Sequence, residues 1–167
     1  MSIKKQQEFK NIIEDITENE HFNLLSTELH HGITRYQHSM RVAKWTYKAC
    51  NKFHLDNIEE VTRAALLHDF YINDDLDTNN SAKALKEHPS VALANSKKYF
   101  NIDKTQEDII VNHMFPCNLT MPKTKEGWLV SAVDKLVGTY EMLRFKAPLY
   151  IGIYLLFTFE LIKISRY

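Results

Sequence analysis

The chain has 167 residues, of which 44% are apolar and 25% charged, and its 21 basic residues balance 21 acidic ones. This length is typical of a single domain, and the composition excludes a disordered, a collagen-like or a multi-span membrane protein. The balance of charge argues against a nucleic-acid coat or a polybasic membrane binder, so we expect no nucleic-acid partner. Cys50 and Cys117 form no CxxC pair, and the first ten residues are polar and show no signal peptide. The sequence therefore predicts a cytoplasmic protein.

Apolar residues recur at helical spacing, whereas glycine and proline number only four each. So few turn residues argue against an all-β protein. The pattern predicts an all-α, single-domain helical bundle, in which Thr34 is the N-cap of the helix that contains His38. Pro89 is expected near the first turn of the main part of its helix, where proline is tolerated. The predicted helices, in chain order, cover residues 3–16, 36–54, 58–70, 81–100, 104–113 and 126–145.

The sequence divides into an N-terminal helical segment (1–30), a central domain (31–145) and an apolar tail (146–167). Residues 147–167 include 14 apolar ones, and no charge lies between Lys146 and Glu160. The tail is shorter and more interrupted than the run of about 20 apolar residues that spans a membrane. We therefore expect a final helix that packs on the bundle, with a membrane-surface element or a dimer contact as the alternatives.

Histidine and aspartate occupy marked positions in the predicted helices or at their ends: His38, the adjacent pair His68 and Asp69, His113 and Asp134, with His88 as a sixth candidate. The His-Asp pair follows the apolar run 64–67, and Asp134 lies within the apolar stretch 129–137. A carboxylate in such surroundings is costly to bury without a partner, and a divalent cation would remove that cost. Imidazole and carboxylate together suit Fe, Mn, Zn and similar ions, and facing helices can supply them to one site. Taken singly, each residue also has a structural interpretation, such as a salt bridge for Asp134.

The order His, His-Asp, Asp resembles the HD superfamily of metal-dependent phosphohydrolases. The matching stretches are ITRYQHSMRVA, RAALLHDFY and SAVDKL, within residues 31–141. The resemblance implies a helical bundle of the HD-domain type, in agreement with the apolar pattern, and metal binding by His38, His68, Asp69 and Asp134. The stretches EHPSVALA and IIVNHMFP add His88 and His113. These resemble the extra histidines of family members that hold two metals.

From this resemblance we expect two divalent ions, Fe or Mn before Zn, Ni, Co or Mg, with a single ion as the alternative. Asp69 would bridge the two ions and orient the attacking water, so it is the predicted catalytic residue. Arg35 lies three residues before His38 on the same helix face and is expected to contact the substrate phosphate, with a surface salt bridge as the alternative. Lys135, next to Asp134, is a further candidate for substrate binding.

The residues after the His-Asp pair depart from the pattern of several two-metal members, which have a lysine there. This chain reads Phe70-Tyr71-Ile72-Asn73 instead. The sequence predicts a hydrolase that cleaves a phosphoester or phosphoanhydride of a nucleotide or related small molecule with a metal-activated water. The missing lysine keeps open a metal-bearing, non-catalytic nucleotide-binding or regulatory module, and an oligomer is compatible with either function.

Overall fold

A computed structural model describes residues 1–30, 32–76, 81–146, 148 and 150–152. The α-helices with defined bounds in this part of the chain are Ile3–Thr17 (α1), Glu20–Asn23 (α2), Arg35–Phe53 (α3), Ile58–Leu67 (α4), Ser81–Tyr99 (α5), Lys104–Asn112 (α6) and Lys125–Glu141 (α7). The strands Leu29–His30 (β1) and Ile33–Thr34 (β2) form a short antiparallel hairpin. Two 3-10 turns, Leu24–Ser26 and Asn73–Asp75, and a π-helical turn, Met142–Lys146, complete the described elements. The predicted all-α fold is confirmed.

Side-chain caps fix where the helices that carry the site begin. The Thr34 hydroxyl accepts a hydrogen bond from the backbone of Gln37, whose side chain accepts one from the backbone of Thr34. The N-cap predicted for α3 is therefore confirmed. Asp103 and Gln106 form the same reciprocal box at the start of α6, and Thr124 caps α7. Each such cap stabilises its helix by about 1 kcal/mol, and together they set the helical register of the residues that follow.

Helix α4 lies at the centre of the hydrophobic core. It packs against α3 and α6, and α7 closes the arrangement by packing against both of those helices. Helix α1 adds three side chains to the same core. The apolar α4 side chains with 0% exposure are Val61, Ala64, Ala65, Leu66 and Leu67. Because the chain leaves α4 from inside the core, the residues that follow Leu67 start from a buried position.

Three sequence-based expectations about the helices are wrong in detail. Helix α4 ends at Leu67, because the backbone N–H of Phe70 bonds to the carbonyl of Leu67 and forms a tight turn. The last predicted helix is regular only as far as Glu141, after which it widens into the π-helical turn. Pro89 lies in the interior of α5, which already begins at Ser81. Packing of α5 against α6 outweighs the one backbone hydrogen bond that a proline removes.

Most of the predicted tail 146–167 lies outside the described residues, as do His31 and residues 77–80. The packing of the tail and the predicted domain boundaries therefore remain predictions. Within the described part of the chain, none of the helices is both long enough and apolar enough to cross a membrane.

Candidate metal centre

The fold brings the six predicted ligands together in one buried cluster. Five of them are at most 4% exposed, and the side chain of Asp134 is 13% exposed. They come from five different helices or the residues that follow them: His38 from α3, His68 and Asp69 from the end of α4, His88 from α5, His113 from the end of α6 and Asp134 from α7. Ligands on separate packed helices are held in place by the core itself.

His38, His68 and Asp134 form the first group of donors. Nε2 of His38 lies 3.1 Å from Oδ1 of Asp134, and Nε2 of His68 lies 3.5 Å from the same oxygen. One ligand atom from each residue lies within 4.8 Å of the other two. The three donors are thus close enough to surround a single cation.

The second group consists of His68, Asp69 and His113, with His88 beside them. Oδ1 of Asp69 faces Nε2 of His88 at 3.4 Å and Nε2 of His113 at 3.6 Å. Oδ2 of Asp69 faces Nε2 of His68 at 3.7 Å. The two oxygens of Asp69 are therefore directed at different histidines, and His68 is shared by the two groups of donors.

Three of the histidine rings are oriented by their own backbone. In each ring Nδ1 lies within hydrogen-bond distance of a carbonyl one helical turn earlier, so a neutral ring donates from Nδ1 and exposes the lone pair of Nε2. The Nδ1 atoms of His68, His113 and His88 lie 2.8, 2.7 and 3.3 Å from the carbonyl oxygens of Ala65, Ile110 and Ala84.

The Nε2 atoms that these bonds leave available face other acceptors. Nε2 of His88 and Nε2 of His113 are 3.2 Å apart, and both face the same carboxylate. Nε2 of His68 is buried and faces Oδ1 of Asp134 at 3.5 Å. Lone pairs and carboxylate oxygens that converge in this way repel one another unless a cation lies between them. The residues therefore fit a divalent metal ion.

The pKa values of three of these residues show how strongly the charges in the cluster interact. Burial opposes the charged form of His38, but hydrogen bonds with Asp134 and Glu141 outweigh it and raise the pKa of His38 to about 10. Burial also opposes ionisation of Asp134, yet hydrogen bonds with His38 and His68 hold its pKa well below the usual range. Burial, followed by the charge of His68, lowers the pKa of His113 to about 3. At neutral pH Asp134 is therefore ionised and His113 is neutral, the forms that bind metals, whereas the raised pKa of His38 favours a proton that a bound cation would have to replace.

Glu141 is a residue of the site that the sequence reasoning missed. Its side chain is fully buried, and its Oε2 lies 2.7 Å from Nδ1 of His38 while its Oε1 accepts a hydrogen bond from Arg41. A carboxylate on the far nitrogen of a metal-binding histidine orients the ring and raises its basicity. The available signal was spacing, since Glu141 follows Asp134 by seven residues, or two turns along one helix face.

Lys135, a candidate for substrate binding, lies at the edge of the cluster. Its Nζ donates to the carbonyl of His113 at 2.6 Å and to Oγ of Ser131 at 3.2 Å. Ser131, also missed by the sequence reasoning, donates to the same carbonyl at 2.7 Å. Two side chains of α7 therefore hold the backbone of His113, and the ammonium group of Lys135 also lies 3.7 Å from Oδ2 of Asp134.

Arg35 does not line the cavity above the cluster. Its side chain is buried, and Nη1 donates to the carbonyl of Tyr71 at 2.9 Å while the guanidinium lies 3.8 Å from the centre of the Tyr71 ring. Nη1 is also 3.5 Å from Oε2 of Glu28. This geometry gives no support to the predicted phosphate contact. It corresponds to the alternative, an ion pair, although the pair is buried rather than on the surface.

A cavity of about 510 Å³ opens directly above the donors. Its volume is in the range of small-molecule sites, roughly 300–1,000 Å³. Five of the six candidate ligands line it: His38, Asp69, His88, His113 and Asp134. Lys135 and Tyr71 contribute to its wall. A ligand in this cavity would therefore contact the metal-binding residues directly.

A protein-family model described as the HD domain matches residues 35–138. The matched range begins with the first residue of α3, ends within α7 and contains all six candidate ligands. No curated protein and no solved structure matches the chain significantly. The match ends three residues before Glu141.

Proposed function

Because the chain belongs to the HD-domain family, a superfamily of metal-dependent phosphohydrolases, we propose that it hydrolyses a phosphoester or phosphoanhydride of a nucleotide or related small molecule. The observation that carries this proposal is the cluster of histidine and aspartate side chains that forms one wall of a ligand-sized cavity. A purely structural metal site would not need an adjoining cavity, whereas a hydrolase needs room for its substrate beside the metal.

Two ions are proposed, Fe or Mn before Zn, Ni, Co or Mg, because the donors are imidazole and carboxylate and fall into two groups. A divalent cation bound there supplies a water acidified toward neutral pKa and compensates the charge of the phosphate. The residues that would hold the first ion are His38, His68, Asp69 and Asp134, and those that would hold the second are Asp69, His88 and His113.

The side chains of the chain itself orient the reaction. Asp69 is the proposed catalytic residue, since its two oxygens face both groups of histidines and can direct the attacking water. Lys135 is the proposed substrate-binding cation, because it reaches the cavity from α7. Burial of the cluster keeps the number of competing water molecules low and strengthens the attraction of these groups for a phosphate.

The test compares Asp69→Asn with the control Asp56→Asn, which replaces an exposed aspartate. Metal content is measured by elemental analysis, and phosphate release is measured over a panel of phosphorylated compounds. Asp69→Asn should lose metal and activity together, and Asp56→Asn should lose neither. Full activity of Asp69→Asn would contradict the proposal. Metal without turnover in the unaltered protein would favour the non-catalytic binding module instead.

The proposed hydrolase also implies a partner molecule and a cellular location. A small phosphorylated compound is the proposed partner, and a cytoplasmic location is proposed because Cys50 and Cys117 are both free, which suits a reducing compartment. An oligomer and membrane contact by residues 147–167 stay predictions from the sequence.

A further inference from the structure

The cavity wall above the ligand cluster is mostly apolar. Helix α5 contributes Ala84 and Leu85, the segment after α6 contributes Met114, and the π-helical turn contributes Met142. Tyr71 adds an aromatic ring, which also contacts the ring of His88 with 5.2 Å between centroids. Aliphatic and thioether side chains favour an apolar ligand surface, and Thr139 is the one aliphatic hydroxyl that the described residues add to this wall.

Positive charge is scarce in the same wall. Lys135 is the single lysine or arginine among the described residues that line the cavity. Its Nζ already donates to the carbonyl of His113 and to Ser131, and it lies 3.7 Å from the carboxylate of Asp134. The metal ions and Lys135 can compensate one phosphate group, but each further phosphate needs cationic donors of its own. The wall described here has none to offer.

We propose that the substrate is a phosphomonoester that carries one phosphate group on an apolar alkyl or aryl group, and not a nucleoside polyphosphate. This inference rests on the proposed function. The phosphate faces the ligand cluster, and the apolar group occupies the space between Leu85 and Met142. In the reaction the oxygen of water bonds to phosphorus and the bond from phosphorus to the ester oxygen breaks. One proton of the water passes to the leaving alkoxide, so the products are an alcohol and inorganic phosphate.

The apolar part of the inference is tested with two substrates that are both esters of primary alcohols. Hexyl phosphate should be hydrolysed with a kcat/KM at least about tenfold above that of ribose 5-phosphate, because each buried methylene favours binding. A preference for ribose 5-phosphate would overturn the inference.

The charge of the wall is tested with variants. Met142 and Leu85 both line the cavity and are 48% and 52% exposed, so Met142→Lys and Leu85→Lys add a cation with little effect on the core. Each should raise the ratio of kcat/KM for ATP to that for AMP about tenfold. The control Leu136→Lys changes a 61% exposed residue of α7 that does not line the cavity, and should leave the ratio unchanged. An unaltered protein that prefers ATP, or wall variants that behave like the control, would overturn the inference.

A binding measurement separates this inference from the proposed function. Hexylphosphonate and methylphosphonate carry the same head group on a carbon–phosphorus bond that hydrolysis of esters does not cleave. Calorimetry on the metal-loaded protein should give hexylphosphonate at least about tenfold tighter binding. If hexylphosphonate binds more tightly but no substrate is hydrolysed, the proposed hydrolase activity is refuted and the proposed ligand class is retained. Equal binding of the two phosphonates would refute the ligand class, even if phosphate esters are hydrolysed.

Discussion

Nδ1 of His38 lies 2.7 Å from Oε2 of Glu141, which joins α3 to the end of α7 through two buried side chains. Arg41, one turn after His38 on α3, donates to the other oxygen of the carboxylate. Glu141 therefore has both oxygens occupied and cannot rotate freely. The contact directs Nε2 of His38 toward Asp134, where the first group of donors lies.

We expect Glu141→Gln to weaken the binding of divalent metal about 10- to 100-fold. The amide keeps the size of the side chain and one acceptor oxygen, but it loses the charge that makes His38 a stronger donor. The measurement is a calorimetric titration of the metal-free protein with Mn²⁺. Thermal unfolding of the metal-free variant checks that the fold is kept.

The matched control for Glu141→Gln is Glu107→Gln. Glu107 pairs with Lys97 and its side chain is 38% exposed, so its charge is screened by water. Its replacement should leave the affinity for Mn²⁺ unchanged. If the two variants bind Mn²⁺ equally well, Glu141 fills space in the core and does not position His38.

The six candidate ligands were predicted because they lie in or at the ends of predicted helices, in an order that resembles the HD superfamily. His68 and Asp69 come directly after the buried face of α4, so a helix pattern alone places them inside the protein. Glu141 and Ser131 were not predicted, since their roles depend on how α7 is rotated against α3 and the end of α6. That rotation is decided by packing of side chains and leaves no local mark on the sequence.

The direction of the Arg35 side chain and the short hairpin also could not be predicted from local sequence patterns. Spacing places Arg35 on the helix face of His38, but the side chain points to Tyr71, which is distant in sequence. The hairpin of β1 and β2 has strands of two residues, too short for an alternating pattern. Its turn contains Gly32 at φ 90°, a conformation that favours glycine, and this residue was the one local signal for it.

The second group of donors leads to an expectation about metal content. Nε2 of His88 and Nε2 of His113 lie 3.2 Å apart and face the same oxygen of Asp69. His88→Ala and His113→Ala should each reduce the metal content from two ions per chain to one, as measured by elemental analysis. The control His21→Ala removes an exposed ring that stacks on Tyr99 and should keep both ions. Loss of both ions, or of neither, in the first two variants would contradict the two-ion site.

The contact between α1 and α4 gives a dependence of stability on pH. Nη1 and Nη2 of Arg63 lie 2.6 and 2.7 Å from the two oxygens of Asp15 and lower the pKa of that carboxyl from its usual 3.8. Because the folded-state pKa is the lower one, the stabilisation is complete well above pH 3.8 and is lost as the pH falls through the folded-state value. The free energy of unfolding in urea should show this loss, which Asp15→Asn and Arg63→Met should both abolish. The effect is small because Asp15 is 56% exposed.

A structural role and a substrate-binding role of Arg35 predict different effects when the residue is replaced. Arg35 is 4% exposed, and its guanidinium donates to the carbonyl of Tyr71 and stacks on the ring of the same residue. We expect Arg35→Ala to lower the free energy of unfolding by about 2–3 kcal/mol, because it removes a charged donor from a buried carbonyl and leaves Glu28 without its ion pair. Urea denaturation measures this loss. Arg35→Lys should recover little of it, since an ammonium cannot stack as a planar guanidinium does. A raised KM with unchanged stability and metal content would instead restore the phosphate contact predicted from the sequence.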